Sequence, residues 1–320
     1  MRRVLVLGGT AWLGREIARA ALSDGAEVVC LARGHSGTVP EGVHFVRADR
    51  NLPGAYDRLG GEWDEVVELA NEPELVESAL DALADRARHW CLVSTVSVYR
   101  RNDEPEADET AELVETDGLA DYAQAKVAAE RATSGRVSDK LLVARPGLIV
   151  GPGDPSDRFG YWAARLCRGG RVLAPTTAAR FVQVIDVGDL AAWIVAAGRS
   201  GTTGSVNAVG ESHAFDDFLS AAGDVAGFTG ELVTVDDEWL VGQGVRHWAG
   251  PRSLPLWLPV SYTGFAKRSN AAYLAAGGII RPLRDTISRV LEDEVARDLT
   301  RARLSGLSPE EETELLEGAR

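Results

Sequence analysis

Short apolar runs alternate with longer amphipathic segments along the first half of the chain. The runs are rich in Val and Leu, as expected for strands that are buried on both faces. The predicted strands cover residues 4–7, 27–31, 43–46, 66–69, 90–94 and 141–144, and the predicted helices cover 12–22, 74–88 and 121–133. Strands that alternate with helices are typical of βαβ units, so the pattern predicts an α/β fold with a doubly wound parallel sheet.

The second half of the chain is less regular. A strand over 181–185 and a helix over 189–197 continue the earlier pattern, residues 249–262 are rich in Pro, Gly and Trp, and a long acidic helix is predicted from about Pro282. No shift in composition is sharp enough for a linker. We therefore predict one compact chain with a smaller, interleaved substrate domain that caps the carboxyl edge of the sheet. In this division, residues 1–150 with 181–205 form the sheet domain, and residues 151–180 with 206–320 form the cap.

Aromatic side chains are concentrated in the predicted cap, where Trp239, Trp248, Trp257, Tyr262 and Phe265 follow one another closely. Such residues either pack a core or line an apolar substrate pocket. The sequence alone leaves both interpretations open.

The charge balance excludes several classes of partner. The 320 residues include 34 Lys and Arg and 48 Asp and Glu, a net charge of −14, which argues against nucleic acid and anionic membranes as partners. The apolar run at 4–7 is too short for a signal peptide or a membrane span. The three cysteines are distant from one another and are predicted to be buried free thiols, which together favour a cytoplasmic location. The five histidines show no ligand spacing, so no metal site is predicted.

A glycine-containing turn, Gly8-Gly9-Thr10-Ala11-Trp12-Leu13-Gly14, joins the first strand to the first helix. A helix N-terminus with free N–H groups in this context favours binding of a pyrophosphate, as in Rossmann dinucleotide-binding domains. Ala11 stands where the middle glycine of that motif is usual. A plain strand–turn–helix connection without a ligand remains the alternative. The candidate cofactor-binding residues here are Gly8, Thr10, Ala11, Trp12, Leu13 and Gly14.

The residues after the second strand bear on the choice of cofactor. NAD-selective domains usually carry an acid here to hold the ribose 2′-hydroxyl, whereas this chain has Arg33 and Ser36 and no acid. Both side chains suit a 2′-phosphate, so NADP is favoured, with NAD as the alternative if Arg33 is an ordinary surface arginine. Asp49, after the third strand, is a candidate contact for the adenine amino group.

Tyr122 and Lys126 have the i, i+4 spacing that places two side chains on one face of a helix. A nearby cation lowers the pKa of a phenol, which suits Tyr122 to move a proton on or off a carbonyl or alcohol oxygen. Lys126 is also one of only three lysines in the chain. The spacing is common in helices, so its position relative to the other motifs gives it weight.

Together these features resemble the extended short-chain dehydrogenase/reductase family, which includes the sugar-nucleotide epimerases. The resemblance covers about residues 1 to 210 and rests on the glycine turn, Asp49, the strand 66–70, the segment 94–99, the Tyr122/Lys126 pair and the segment 145–152. It implies that Thr95 hydrogen-bonds the reacting oxygen, with Ser97 as a fallback, and that Tyr122 is the proton donor or acceptor. It further implies that Lys126 holds the nicotinamide ribose and that Ala70, Pro146 and Gly147 line the cofactor site.

The sequence departs from the family pattern at several positions. Ala11 replaces the middle glycine, and Arg100 follows Tyr99 where a glycine is usual. Val96 and Ser97 occupy the place of the acidic pair that sugar dehydratases use for elimination. A dehydratase is therefore not expected.

These observations predict an NADP(H)-dependent oxidoreductase that interconverts a carbonyl and an alcohol on a small organic molecule. An NAD-dependent sugar-nucleotide epimerase and a non-catalytic dinucleotide-binding regulator are the alternatives. A homodimer is kept as an option for the assembly.

Overall fold

The computed structural model describes residues 1–116 and 121–319. Its strands are β1 (Arg3–Leu7), β2 (Glu27–Ala32), β3 (His44–Arg47), β4 (Glu65–Glu68), β5 (Trp90–Val93), β6 (Leu141–Pro146), β7 (Leu148–Val150), β8 (Arg171–Pro175), β9 (Phe181–Asp186), β10 (Gly204–Ala208), β11 (Ser212–Ala214), β12 (Glu231–Val235), β13 (Arg246–Trp248) and β14 (Ser253–Pro255). Its α-helices are α1 (Trp12–Ser23), α2 (Pro73–Leu83), α3 (Tyr122–Val137), α4 (Arg158–Cys167), α5 (Val187–Ser200), α6 (Phe215–Ala226), α7 (Asp237–Gly242), α8 (Ala271–Ala275), α9 (Leu283–Ala296) and α10 (Pro309–Gly318). Short 3₁₀ turns cover Ala84–Arg86, Val96–Val98, Ser138–Lys140 and Val260–Tyr262.

A parallel sheet of seven strands, in the order β10-β6-β5-β4-β1-β2-β3, forms the centre of the fold. Alternate residues of β1 serve opposite faces of this sheet. Val4 and Val6 belong to one apolar cluster, and Leu5 and Leu7 belong to another. Burial on both faces explains why these strands are uniformly apolar, and the predicted parallel α/β fold is confirmed.

Helices cover both faces of the sheet. Helices α1 and α5 share the first cluster with the sheet, through residues such as Ile17 and Ile194. Helices α2 and α3 pack on the other face, through Val76 and Ala129 among others. This is the predicted doubly wound arrangement.

The C-terminal part forms an additional domain with its own core. Phe159, Trp162, Phe215, Phe218 and Trp257 are all buried in it. The domain is built on α4, α6, α9 and α10, with the strand pairs β8/β12 and β13/β14. The strands β7, β9 and β11 form a separate small sheet.

The detailed division of the chain remains a prediction. Strand β10 forms one edge of the central sheet. Strand β9, which the sequence assigned to the sheet domain, pairs with β7 and β11 in the small sheet. Helix α8 returns to the sheet side, where Tyr273 packs against Trp193 of α5.

The helix predicted from about Pro282 begins at Leu283, but the C-terminal segment is divided between two helices. Helix α9 ends at Ala296, and Asp298 then adopts a left-handed backbone with φ of 77°. A new helix, α10, starts behind a capping box in which Ser308 and Glu311 satisfy each other's backbone N–H groups. The intervening residues therefore cannot continue the helix.

The cysteines are unpaired, with Cys30 and Cys91 buried and Cys167 half-buried. Across residues 1–116 and 121–319, no helix is both long enough and apolar enough to span a membrane. The same residues contain no group of three or more His, Cys, Asp or Glu side chains placed to hold a metal ion.

Candidate active site

A cavity of about 500 Å³ lies at the carboxyl ends of the central strands, beneath the C-terminal domain. It brings together candidates that are far apart in sequence, as expected at this edge of a parallel sheet. The predicted site residues that line it are Ala11, Trp12, Leu13, Gly14, Thr95, Tyr122, Lys126, Pro146 and Gly147.

A smaller cavity of about 200 Å³ adjoins the first, and both are lined by Ala11 and Leu69. The remaining cofactor candidates line this second cavity, namely Gly8, Thr10, Arg33, Ser36, Asp49 and Ala70. The two cavities therefore run along both sides of the glycine turn.

The glycine turn has the backbone that a close approach to a ligand requires. Gly8 has φ of 99°, which disfavours any residue with a side chain. A Cβ on Gly14 would lie 2.5 Å from the Gly8 carbonyl oxygen, so only glycine allows α1 to start this close to β1. Ala11, in contrast, has φ of −75° and ψ of 164°, an extended backbone that alanine adopts without strain. The missing middle glycine therefore leaves the turn intact.

The N-terminus of α1 is fixed to the loop that follows β7. The indole Nε1 of Trp12 donates to the Pro152 carbonyl at 2.9 Å. Trp12 thus joins the glycine turn to the segment that closes the larger cavity. These features together fit a dinucleotide, because an open helix N-terminus lies between two adjoining cavities.

Tyr122 is the first residue of α3, where Asp121 caps the helix by accepting from the Ala123 N–H. Although the residue is 49% exposed, it lines the larger cavity. Burial raises the pKa of its phenol, while a hydrogen bond with the Thr95 side chain and the positive charge of Arg158 oppose that rise. Tyr122 and Thr95 therefore line the same cavity.

Thr95 is held in place by the turn that follows β5. Its hydroxyl accepts from the Ser97 N–H at 3.1 Å and donates to the Ser97 hydroxyl at 3.2 Å. Ser97, the fallback candidate, thus lies beside Thr95 in the same cavity. In this structure, Ser97 helps to position the Thr95 side chain through these two hydrogen bonds.

Lys126 is 2% exposed and lies beneath Tyr122 on α3. Its ammonium donates to the carbonyl oxygens of Val93 at 2.6 Å and Ala70 at 2.9 Å. Burial lowers the pKa of Lys126 to about 8, against the opposing negative charges of Glu68, Glu130 and Glu72. The expectation that Lys126 lowers the pKa of Tyr122 needs correction, because the ammonium is directed to strand-end carbonyls and Arg158 supplies the charge.

Several polar residues of the larger cavity were not predicted, and three of them lie together after β7. Asp154, Ser156 and Arg158 follow β7 and form a chain of contacts. Ser156 donates to Asp154 at 2.9 Å and accepts from the Nε of Arg158 at 3.1 Å. The sequence signal was present as a run of polar residues after a strand end, but nothing local showed that it faced the cavity.

The aromatic residues of the C-terminal part divide between the two interpretations. Trp257 is fully buried in the core, and Trp239 packs against that core. Trp248 and Phe265 line the larger cavity, in edge contact with each other at 5.4 Å between ring centroids. Arg158 lies over the Trp248 ring at 5.1 Å. Two aromatic rings and one cation of the C-terminal part therefore form one portion of the cavity lining.

The smaller cavity contains the features that bear on the ribose phosphate. Arg33 and Ser36 are exposed there, and within the described parts of the chain Arg33 makes no ion pair. Asp49 is engaged by the backbone and side chain of Asn51, at 3.0 and 3.1 Å.

Comparisons with known proteins agree with this fold. The model of the NAD dependent epimerase/dehydratase family matches residues 4–210. The chain is 32% identical over 230 residues to a dTDP-6-deoxy-L-talose 4-dehydrogenase (NAD(P)(+)) of Kitasatospora kifunensis, covering 62% of this chain and 71% of that protein. It is 30% identical over 191 residues to a 2′-dehydrokanamycin reductase of Streptomyces kanamyceticus, covering 56% of this chain and 53% of that one.

Among solved structures, the chain is similar to the UDP-glucose 4-epimerase of Thermus thermophilus in complex with NAD. The two share 21% identity and a TM-score of 0.65 over 91% of this chain and 98% of that chain, which shows the fold.

Proposed function

Because the chain belongs to the NAD-dependent epimerase/dehydratase family and is an NAD(P)-dependent enzyme, we propose that it is an NADP(H)-dependent oxidoreductase that interconverts a carbonyl and an alcohol on a small organic molecule. The observation that carries the proposal is that Tyr122, Thr95 and Lys126 line one cavity together with residues of the glycine turn. A dehydrogenase and a reductase among the relatives favour net oxidoreduction over epimerisation.

Each residue of the cavity has a separate role in the proposed reaction. The nicotinamide, when bound, supplies or accepts the hydride. Tyr122 donates a proton to the substrate oxygen during reduction and removes it during oxidation, and Thr95 orients that oxygen by a hydrogen bond. Lys126 lines the cavity and donates two of its three ammonium hydrogens to the Val93 and Ala70 carbonyls, and the third would donate to a ribose hydroxyl. Pro146 and Gly147 form the wall against which the nicotinamide end would lie.

Preference for NADP is proposed from the smaller cavity. Arg33 and Ser36 line it, and the chain carries no acid from Leu31 to Pro40 that would repel a 2′-phosphate. Arginine binds phosphate by paired hydrogen bonds as well as by charge. A homodimer and a cytoplasmic location remain predictions from the sequence.

The proposal is tested by oxidation of NADPH in the presence of a panel of aldehydes and ketones, with the wild type and Tyr122→Phe. We expect at least one carbonyl to be reduced and Tyr122→Phe to lower kcat by about a hundredfold or more, the usual contribution of a positioned acid. Tyr262→Phe is the matched control, because Tyr262 is an exposed tyrosine of the C-terminal part outside the cavity. Unchanged turnover by Tyr122→Phe would refute the assigned role.

Epimerisation is the second candidate, since the fold is shared with solved epimerases. An epimerase returns the hydride to the same substrate and therefore keeps its cofactor. A purified protein that carries tightly held, partly reduced nicotinamide and that fails to consume NADPH with any carbonyl would favour this alternative.

A further inference from the structure

A third cavity, of about 440 Å³, lies in the C-terminal domain between α4 and the start of α10. None of the described residues that line it also lines either cavity at the glycine turn. Helix α4, the loop before β14 and the loop between α9 and α10 all contribute arginines to its wall, and we call it the arginine cavity after them: Arg165, Arg168, Arg252, Arg301 and Arg303. Guanidinium groups that converge from three segments create a local positive field, which suits an anion.

Arg168 is the least neutralised of these cations. Glu312 is bonded to Arg165 and accepts from the Leu173 N–H at 3.1 Å. The Arg168 guanidinium reaches the same carboxylate only at 4.0 Å, and it forms no other ion pair within the described part of the chain. Burial lowers the pKa of Arg168, and the positive charges of Arg165 and Arg303 lower it further. Three guanidinium groups therefore lie within electrostatic reach of one another, and a bound anion would relieve their repulsion.

Arg303 has buried donors that no protein atom uses. Its side chain is 11% exposed, and its Nη2 lies 2.7 Å from Oε2 of Glu294. Neither Nη1 nor Nη2 makes a hydrogen bond of acceptable geometry, however. Glu294 also pairs with Arg301 at 3.0 Å, and the Nε of Arg301 is likewise buried without a hydrogen-bond partner. Buried donors without acceptors are costly, so this wall suits a ligand that brings oxygen atoms.

Two glutamates line the arginine cavity as well, but both are engaged at the start of α10. Glu311 accepts from the Ser308 N–H at 2.9 Å, and Glu310 accepts from the Ser308 hydroxyl at 2.8 Å. Glu311 lies 3.9 Å from Arg252. Among the described residues, neither glutamate forms an ion pair with the two arginines considered above. The acids of the wall therefore leave those two guanidinium groups available.

We propose that the arginine cavity binds a phosphate group, either free phosphate or the phosphate of a small molecule, with Arg168 and Arg303 as its main ligands. A phosphate presents several acceptor oxygens in a tetrahedral arrangement, so it can accept from guanidinium groups that approach from different directions. A carboxylate has two oxygens in one plane and suits a single fork. A volume of about 440 Å³ falls within the usual range of small-molecule sites, so the cavity has room for more than the ion itself.

The test measures anion binding by calorimetric titration of the protein saturated with nicotinamide cofactor, so that the glycine turn is occupied and cannot take up the anion. The probes are inorganic phosphate, glucose 6-phosphate and citrate at constant ionic strength, and the proteins are the wild type, Arg168→Gln, Arg168→Lys and Arg303→Gln. We expect Arg168→Gln and Arg303→Gln each to weaken phosphate binding by about tenfold or more, the usual effect of losing a charge-assisted hydrogen bond. Arg168→Lys should keep part of the affinity. Arg284→Gln is the matched control, because Arg284 pairs with Asp224 on the surface of the same domain.

The outcomes decide both the site and its ligand. Tighter binding of inorganic phosphate identifies the free ion, and tighter binding of glucose 6-phosphate identifies a phosphorylated small molecule. If neither binds, or if Arg168→Gln and Arg303→Gln bind both as the wild type does, the proposal is wrong. Citrate that binds more tightly than both phosphates would overturn the assignment to phosphate. Urea denaturation of ligand-free Arg168→Gln shows whether a loss of affinity comes from a folding defect, and a stability equal to that of the wild type excludes one. The inference is independent of the proposed oxidoreductase activity, which stands or falls with the carbonyl panel.

Discussion

Tyr122 and Arg158 line the same cavity, where burial raises the pKa of the Tyr122 phenol and the positive charge of Arg158 opposes that rise. The two residues come from different parts of the chain, since Tyr122 begins α3 and Arg158 begins α4 of the C-terminal part. The sequence predicted that Lys126 would both hold the nicotinamide ribose and supply the positive charge near Tyr122. In the structure, Arg158 supplies that charge. Lys126 is bonded to backbone carbonyls at the floor of the cavity.

Substitution of Arg158 is expected to change the pH dependence of the reaction. Arg158→Gln removes the positive charge that favours the phenolate, so the pKa of Tyr122 should rise. The pH at which kcat/KM for alcohol oxidation levels off should move upward accordingly. The measurement uses the substrate pair identified with the carbonyl panel.

Arg158→Lys is the control for that prediction, because it keeps the charge. Its pH profile should resemble that of the wild type, even if its KM changes. Identical profiles for Arg158→Gln and the wild type would show that Arg158 does not act on the phenol.

Gly14 and Ala11 of the glycine turn should respond to substitution in opposite ways. A Cβ on Gly14 would meet backbone atoms of Gly8 at 2.5 Å and Gly9 at 2.8 Å, so Gly14→Ala must displace the turn. We expect it to cost about 1–3 kcal/mol of stability and to weaken cofactor binding by about tenfold or more. Ala11 already has an ordinary extended backbone, so Ala11→Gly should keep the affinity and lose at most about 1 kcal/mol.

Urea denaturation and NADPH titration of the two variants check this prediction. A large loss of affinity in Ala11→Gly would mean that the Ala11 methyl contacts the cofactor. An unaffected Gly14→Ala would mean that the close approach of α1 to β1 is not needed.

The parts of the site that could be predicted are those encoded by local spacing. Gly14, Thr95 and Lys126 lie at strand ends or helix starts, and a parallel sheet brings such positions to one edge. Arg15 and Arg158 acquire their surroundings from distant segments. Gly37 lies next to the Arg15 guanidinium, and the Trp248 ring lies under Arg158. Trp248 even has a left-handed backbone, with φ of 70°, which no local pattern indicates. Long-range packing of this kind is not readable from a single sequence.

A buried carboxyl at the opposite end of the sheet should make stability depend on pH. Glu65 is fully buried at the start of β4, and burial raises its pKa to about 8, against the positive charge of Arg2 and with the negative charge of Asp24. Its pKa in the unfolded chain is near 4.5. The folded state therefore holds the proton more tightly, and the stability that Glu65 contributes is present below about pH 4.5 and is lost as pH rises toward 8.

Glu65→Gln imitates the protonated acid and isolates this effect. The free energy of unfolding of the wild type relative to Glu65→Gln should fall between about pH 4.5 and 8, with a slope of up to roughly 1.4 kcal/mol per pH unit. His89 lies beside Glu65, and burial lowers its pKa, but it is present in both proteins and its contribution largely cancels in the difference. A difference that is constant over this range would show that Glu65 stays ionised in the folded protein.

A buried ion pair sets the position of α3 relative to β6. Arg145, next to Pro146 on β6, donates to both oxygens of Glu130 on α3 at 3.0 and 2.7 Å, and both residues are buried. Glu130→Gln leaves the guanidinium without its counter-charge, so we expect a loss of about 3–5 kcal/mol of stability in urea denaturation. Glu112→Gln, which breaks the exposed pair with Arg100, should cost less than about 1 kcal/mol. An unaltered stability of Glu130→Gln would show that apolar packing alone holds α3 against the sheet.

Glu130→Gln should also weaken cofactor binding where the fold survives, because α3 carries Tyr122 and Lys126.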